Sequence, residues 1–245
     1  MQRIAAVIPV KSFNEAKQRL KTVLSHEERR RLARVMFEDV LSVLIQCERL
    51  AAVYVVTSDR EAAHLAISLG ASTLPDPVSG GLSGAVAAAA QTLRSQGMEG
   101  MMVVPSDVPA IDPATVNHLL DAHALPRAVT LVPAARDGGT NAMLCSPPNV
   151  IPNCFGHNSF RAHRHLATSS GIEPNILSTP RLHYDIDRPL DLLSFLNCSS
   201  STKTYAYLKR SGIAARLLNA AVFPATESIF PRAVPELIPT RFQKG

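Results

Sequence analysis

What the sequence lacks narrows its function before any motif is read. No apolar run reaches the roughly 18 residues of a membrane span. The first apolar stretch, residues 4–10, is too short for the core of a secretory leader and has the length of a strand. The four cysteines, Cys47, Cys145, Cys154 and Cys198, are far apart and form no CxxC pair, so reduced thiols in a cytoplasmic protein are expected. There is no internal repeat, and so no solenoid or propeller. No Gly-rich turn is followed by Lys-Ser/Thr, none has the spacing G-x-G-x-x-G after a strand, and no G-x-S-x-G elbow occurs; P-loop, dinucleotide-binding and α/β-hydrolase chemistries have no support. His163-x-His165 and Cys154-x-x-His157 do not make a convincing zinc set, because positions two apart on a helix do not share a face.

What is present is an ordinary globular composition, 46% apolar over 245 residues, enough for one α/β domain with its own core. The net charge of +5 admits two partners, nucleic acid or phosphorylated small molecules. The one dense basic cluster, Arg29-Arg30-Arg31 with Arg34, lies in a helical pattern and reads as a solvated face, and no nucleic-acid motif accompanies it. Strand-like and helix-like segments alternate for about 190 residues, which argues for a doubly wound sheet. Strands are expected near residues 3–10, 51–57, 72–74, 101–104, 128–133, 142–145 and 175–178. Helices are expected after the N-cap Ser25, over 60–69, from Ala85 to about Gln96, after Asp112-Pro113, over 160–168 and from Pro189. A single α/β domain over 1–218 is expected to be followed by a proline-containing, loosely ordered tail over 219–245, with a polar linker at 199–202 and a helix bent at Gly212 before it.

Two strand ends carry carboxylates. Residues 100–104 lead into Pro105-Ser106-Asp107, and Pro109 prevents the strand from continuing. Asp185 and Asp187 stand one residue apart, so on extended backbone they face the same side. Ligands of open parallel sheets bind beyond the carboxyl ends of strands. Asp107, Asp185 and Asp187 are therefore expected to converge on Mg²⁺, a hard cation that takes one or two carboxylates plus phosphate oxygens, and the ion to hold a nucleoside triphosphate. Adding a nucleoside monophosphate to an acceptor phosphate is mostly positioning and electrostatic stabilisation. Lys11, Lys17 and Arg19 could grip the leaving pyrophosphate, and Thr140, Gly156 and Ser159 offer donors to the acceptor from two polar turns. Gly80-Gly81-Leu82-Ser83-Gly84 reads either as an anion- or base-binding turn before a helix or as an ordinary loop needing positive φ.

In this order the motifs resemble the phospholactate guanylyltransferase family of coenzyme F-420 biosynthesis, whose members use 2-phospholactate, phosphoenolpyruvate or 3-phosphoglycerate. The likeness runs through Ile8-Pro9-Val10-Lys11, Ala16-Lys17-x-Arg19-Leu20, Leu24-Ser25-x-x-Glu28-Arg29, Gly81-Leu82, Pro105-Ser106-Asp107-Val108-Pro109, Asp137-Gly138-Gly139-Thr140-Asn141, Phe155-Gly156-x-x-Ser159-Phe160-x-x-His163 and Asp185-Ile186-Asp187-x-Pro189-x-Asp191-Leu192. It covers roughly residues 1 to 215. The resemblance implies a three-layer, Rossmann-like and GT-A-like nucleotidyltransferase fold around a mostly parallel sheet. It implies GMP transfer from GTP to a phosphorylated three-carbon acid. On it, Asp107, Asp185 and Asp187 bind Mg²⁺; Asp107, Lys17 and Arg19 are catalytic; Thr140, Gly156 and Ser159 hold the acid; and Pro9, Lys11, Lys17, Arg19, Gly81, Leu82 and Ser83 hold the nucleotide. It also implies a homodimer and a product passed to a deazaflavin-using transferase, with no nucleic acid and no membrane as partners. The chain departs from the family in having Ser83 where an asparagine is usual and one residue fewer in the turn before Thr140. The competing readings are a transferase acting on a sugar phosphate or a molybdopterin, and a non-catalytic nucleotide binder.

Overall fold

The structure is a computed structural model, and it describes residues 2–77, 79–182, 185–198 and 200–220, with the side chains of 219 and 220 left aside. Seven strands form one sheet in the order β3-β2-β1-β4-β6-β5-β7. They are β1 (Ile4–Pro9), β2 (Ala52–Val56), β3 (Ser72–Leu74), β4 (Gly100–Val103), β5 (Ala128–Pro133), β6 (Thr140–Ser146) and β7 (Asn175–Ile176). The helices are α1 (His26–Ile45), α2 (Arg60–Ser68), α3 (Gly81–Ser95), α4 (Pro113–Ala122), α5 (Ser159–Ser169), α6 (Pro189–Asn197), α7 (Lys203–Arg210) and α8 (Ile213–Ala220).

β1 is parallel to both β2 and β4, while β6 runs antiparallel to β4 and β5. The strand order turns around between β1 and β4, since β1 continues to β2 on one side and β3 returns to β4 on the other. A crevice opens at such a reversal, beyond the carboxyl ends of the two strands. In this chain those ends deliver residues 10–21 and 104–109.

Alternation along β1 builds both faces of the sheet. Ile4, Ala6 and Ile8 pack with Phe37, Leu41 and Leu44 of α1 and with Val116 and Leu119 of α4. Ala5 and Val7 pack with Val86, Ala90 and Leu93 of α3 and Ala167 of α5. The helix ends follow from local chemistry. Ser25 and Glu28 form a capping box at α1, with Ser25 N donating to Glu28 Oε2 at 2.8 Å, and Asp112 with Pro113 opens α4.

Two local readings change. α3 begins at Gly81 rather than Ala85: Gly80, at φ 93°, turns the chain, and Gly84 N already donates to Gly80 O at 2.9 Å. The glycine-rich stretch is thus the first helical turn, not a loop before it. The arginine cluster is not simply a solvated face. Arg29 is buried and donates to Leu24 O, Arg30 pairs with Glu27 and Glu61, and Arg34 pairs with Glu38 and Glu61.

The segment after residue 200 forms α7 and α8, bent at Gly212 (φ 74°), and both are docked on the body. Leu208, Ile213 and Leu217 join Leu32 and Met36 of α1, Leu192 of α6, and Leu20 and Leu24 in one buried cluster. The C-terminal helices therefore back the loop that carries Lys17. The 221–245 part of the expected tail lies outside the described residues, as do His183 and Tyr184. Among the described residues no helix is long and apolar enough to cross a membrane.

Candidate active site

The loop after β1 is held from beneath. Phe13 is buried with its ring 5.8 Å from that of Phe37, and its N–H donates to Asp59 Oδ2 at 2.9 Å. Asp59 also caps α2 through Glu61 N and Ala62 N, so one carboxylate sets a helix and the loop together. Lys17 takes left-handed backbone angles, φ 56° and ψ 40°, unusual for a residue with a β-carbon. That turn sends its ammonium inward. It donates to Asp107 Oδ2 at 2.6 Å and Asp187 Oδ1 at 2.8 Å, and its side chain is only 7% exposed. Arg19, largely exposed, reaches Asp187 Oδ2 at 3.1 Å. Lys11 is exposed at the rim of the same cleft.

The two carboxylate-bearing segments are stitched to each other by backbone. Ile186 N donates to Asp107 O at 3.0 Å, and Ile186 itself is buried, which turns Asp185 and Asp187 to the opposite, open side. Asn141 Nδ2 donates to Leu182 O at 2.7 Å and anchors the approach of this segment to β6. Asp191 then accepts from Asp187 N (3.0 Å) and Arg188 N (2.7 Å) and pairs with Arg136, closing the turn into α6. The result is that Asp107, Asp185 and Asp187 each present an oxygen, all within 4.8 Å of one another.

The electrostatics of this cluster are uneven. Burial raises the Asp185 carboxyl to about 6, and its neighbours Asp107 and Asp187 push it in the same direction. Burial would also raise Asp187, but Lys17 and Arg19 hold it below the usual carboxylate range. Burial opposes the charge of Lys17, yet Asp107 and Asp187 raise its pKa, so it stays an ammonium. One lysine thus partly neutralises three acids, and the donors are all hard oxygens, a set that fits a small divalent cation.

A hollow lies on either side of the cluster. A cleft of ≈520 Å³ is lined by Pro9, Lys11, Ser12, Lys17, Leu82 and Asp107. A smaller hollow of ≈60 Å³ is lined by Arg19, Arg136, Asp137, Asp185, Arg188 and Asp191. Gly81 and Leu82 stand in the first turn of α3, and Leu82 lines the larger cleft. Ser83, by contrast, is occupied elsewhere: its hydroxyl accepts from Phe155 N at 2.8 Å and bonds Phe155 O at 3.3 Å.

Thr140 and Ser159 are brought together, but their hydroxyls are buried. Ser159 Oγ donates to Thr140 Oγ1 at 3.1 Å, and His163 Nδ1 lies 3.1 Å from the same oxygen. Gly156 is exposed, at φ 136°. Sequence reasoning did not assign a role to Asp59, Asp191 or His163. Asp191 had a visible signal, an acid two residues after Pro189 at a helix start; Asp59 and His163 act through tertiary contacts that no spacing announces.

With this geometry in place, comparison with known proteins is informative. Residues 4–222 match the family model described as "Guanylyl transferase CofC like". The chain is 34% identical to a phosphoenolpyruvate guanylyltransferase of Conexibacter woesei, over 76% of this chain and 84% of the other. It is 34% identical to a 3-phospho-D-glycerate guanylyltransferase of Colwellia psychrerythraea (80% and 93%) and 31% identical to a 2-phospho-L-lactate guanylyltransferase of Methanothermobacter thermautotrophicus (85% and 91%). Among solved structures, a protein of Desulfovibrio desulfuricans described as a nucleotide-diphospho-sugar transferase superposes with a TM-score of 0.74 at 20% identity, over 89% of this chain and 98% of its own. A nucleotidyl transferase of Methanothermobacter superposes at 0.57 with 16% identity, over 86% and 100%; both show the nucleotidyltransferase fold. The reversal of strand order, the acids gathered at its carboxyl edge and the match over most of its length lead to one conclusion: the chain belongs to the CofC-like guanylyltransferase family of nucleotidyltransferases.

Proposed function

We propose that this protein transfers GMP from GTP to the phosphate of a small three-carbon acid, releases pyrophosphate, and supplies the guanylylated acid to a deazaflavin-using transferase in coenzyme F-420 biosynthesis. The observation that carries this reading is the position of Asp107, Asp185, Asp187 and Lys17 between a larger cleft and a smaller hollow. The larger cleft takes GTP, with Pro9, Leu82, Gly81 and the residue 11–19 loop against it. An oxygen of the acceptor phosphate attacks the α-phosphorus, a new P–O–P link forms, and the bond from the α-phosphorus to the bridging oxygen breaks with that oxygen leaving on pyrophosphate. Mg²⁺, held by Asp107, Asp185 and Asp187, would draw the phosphate oxygens together and offset their charge. Lys17, released from the carboxylates, and Lys11 at the rim of the larger cleft hold the departing pyrophosphate, and Arg19 reaches it from the smaller hollow that it lines. Thr140, Gly156 and Ser159 belong to the acceptor side.

The acceptor is phosphoenolpyruvate, 3-phosphoglycerate or 2-phospholactate, the acids for which its relatives are named. Free thiols at Cys47, Cys145, Cys154 and Cys198 agree with a cytoplasmic enzyme. The test is an end-point assay with GTP, Mg²⁺ and each acid separately, reading pyrophosphate release and product mass. Release with one acid identifies the substrate. Release with none, but with a sugar phosphate or a molybdopterin, replaces this reading by transfer to that acceptor.

A further inference from the structure

His163 is fully buried in α5, and its two ring nitrogens are committed to different turns. The N–H of Cys154 lies 3.0 Å from Nε2. A backbone N–H can only donate, so Nε2 must carry a lone pair. Burial also lowers the pKa of this ring to about 4, so it is neutral near pH 7 and its one proton sits on Nδ1. Nδ1–H then donates to Thr140 Oγ1 at 3.1 Å, where Ser159 Oγ also donates. With both lone pairs of Oγ1 engaged, Thr140 has only its own hydroxyl proton left to offer, which is the polarity an anion needs.

The same ring stacks edge-on with Phe155, centroids 4.8 Å apart, and Phe155 is gripped from the other side by Ser83 at the start of α3. Phe160 N donates to Gly138 O at 3.0 Å, and a β-carbon on Gly138 would meet Asn158 Oδ1 at 2.8 Å, so the turns around 138 and 156 already press together. His163 bonds to Thr140, at the start of β6 after the first turn, and to Cys154 before the second.

We infer that His163, as its Nδ1–H tautomer, is the positioning residue of the acceptor side: it fixes the turn of Cys154 to Gly156 against Thr140 and sets the donor direction of the Thr140 hydroxyl. This rests on the assignment of Thr140, Gly156 and Ser159 to the acid. His123 is the built-in control. It is equally buried and bonded to two hydroxyls, Thr130 and Ser146, but Ser146 ends β6 where Thr140 begins it.

The test has three parts. Nitrogen-15 NMR of the histidine rings should show Nδ1–H for His163 in the full-length protein; an Nε2–H ring overturns the inference. In steady-state kinetics, His163→Leu should raise KM for the acid about tenfold, the effect of one lost positioned hydrogen bond. GTP KM should stay within about twofold. His163→Asn, which still presents an N–H towards Thr140, should raise it less. His123→Leu should lower stability and leave the acid KM alone. An unchanged acid KM in a folded His163 variant, or equal shifts in both KM values, contradicts the inference. If wild-type protein accepts no acid, the functional reading fails, and hydrogen exchange decides on the clamp. Faster exchange over residues 154–160 in His163→Asn supports it, and unchanged exchange removes it.

Discussion

A buried pair of acids and a half-buried cluster of three are treated in opposite ways in this molecule. On α1, Asp39 accepts from Lys203 N and Thr204 N, each at 2.8 Å, and from Thr204 Oγ1 at 2.7 Å, while Glu38 pairs with Lys203 Nζ and Arg34. Burial raises Asp39, but every donor around it pulls the other way. At the sheet edge, burial raises Asp185 and the nearest charges, Asp107 and Asp187, add to the rise. The first group docks α7 and is satisfied by the protein. The second is only partly neutralised, by Lys17 and Arg19, and the divalent cation proposed above would complete it.

Substitutions can break that comparison. The largest expected effect is on the open group: Asp107→Asn or Asp187→Asn should lower Mg²⁺-dependent turnover by about 10³-fold or more, with a far smaller change in thermal stability. Activity retained by either variant ends the metal assignment. Asp39→Ala should do the reverse. It removes a helix cap and leaves buried donors unpaired, costing roughly 3 kcal/mol in urea unfolding, while kcat/KM of the folded variant stays within about twofold; a selective loss of activity would show that the two groups are not separable. Acid should strain both ends of β6. His163 and His123 are each lowered to about 4 by burial. Above the unfolded value of about 6.5 neither state binds the proton; between that and 4 only the unfolded chain does, so stability falls as pH falls. Unfolding free energies from urea curves at pH 7 and 4.5 should differ by about 2–3 kcal/mol for each histidine, and equal values at both pH values would contradict their neutral burial. Lys17→Met should cost about 2 kcal/mol in the absence of metal, because Asp107 and Asp187 lose their shared cation. Mg²⁺ should raise the melting temperature of that variant more than that of wild type. The smallest effect belongs to Ser83→Ala, about 1 kcal/mol for its bonds to Phe155, read as a slightly lower melting temperature.

Much of the architecture was legible because local chemistry agreed with the final packing. The box at Ser25 and Glu28, Asp112 with Pro113, and the apolar runs of β1 and β4 state their elements outright. The three aspartates were legible too, since Pro109 and the Asp185-Ile186-Asp187 alternation fix where they stand. The start of α3 was not, because glycines that usually interrupt a helix here form its first turn once Gly80 has set the entry. Nor was the placement of Lys17 on the carboxylates: it depends on a left-handed turn at a residue that gives no sign of one, and on 90 and 170 residues of intervening chain. That His163 and His165 part was legible from the helix period, and the structure buries the first and exposes the second; the bonds of His163 to Thr140 and Cys154 were not legible, because they are tertiary contacts.

The most direct test of the account is a crystal grown with Mn²⁺ and a GTP analogue that cannot be cleaved, read by manganese anomalous scattering. The account predicts an anomalous peak about 2.2 Å from carboxylate oxygens of Asp107, Asp185 and Asp187, with the Lys17 ammonium moved from the carboxylates towards the phosphates. A peak elsewhere, or Lys17 still bridging Asp107 and Asp187 with nucleotide in the cleft, would contradict it.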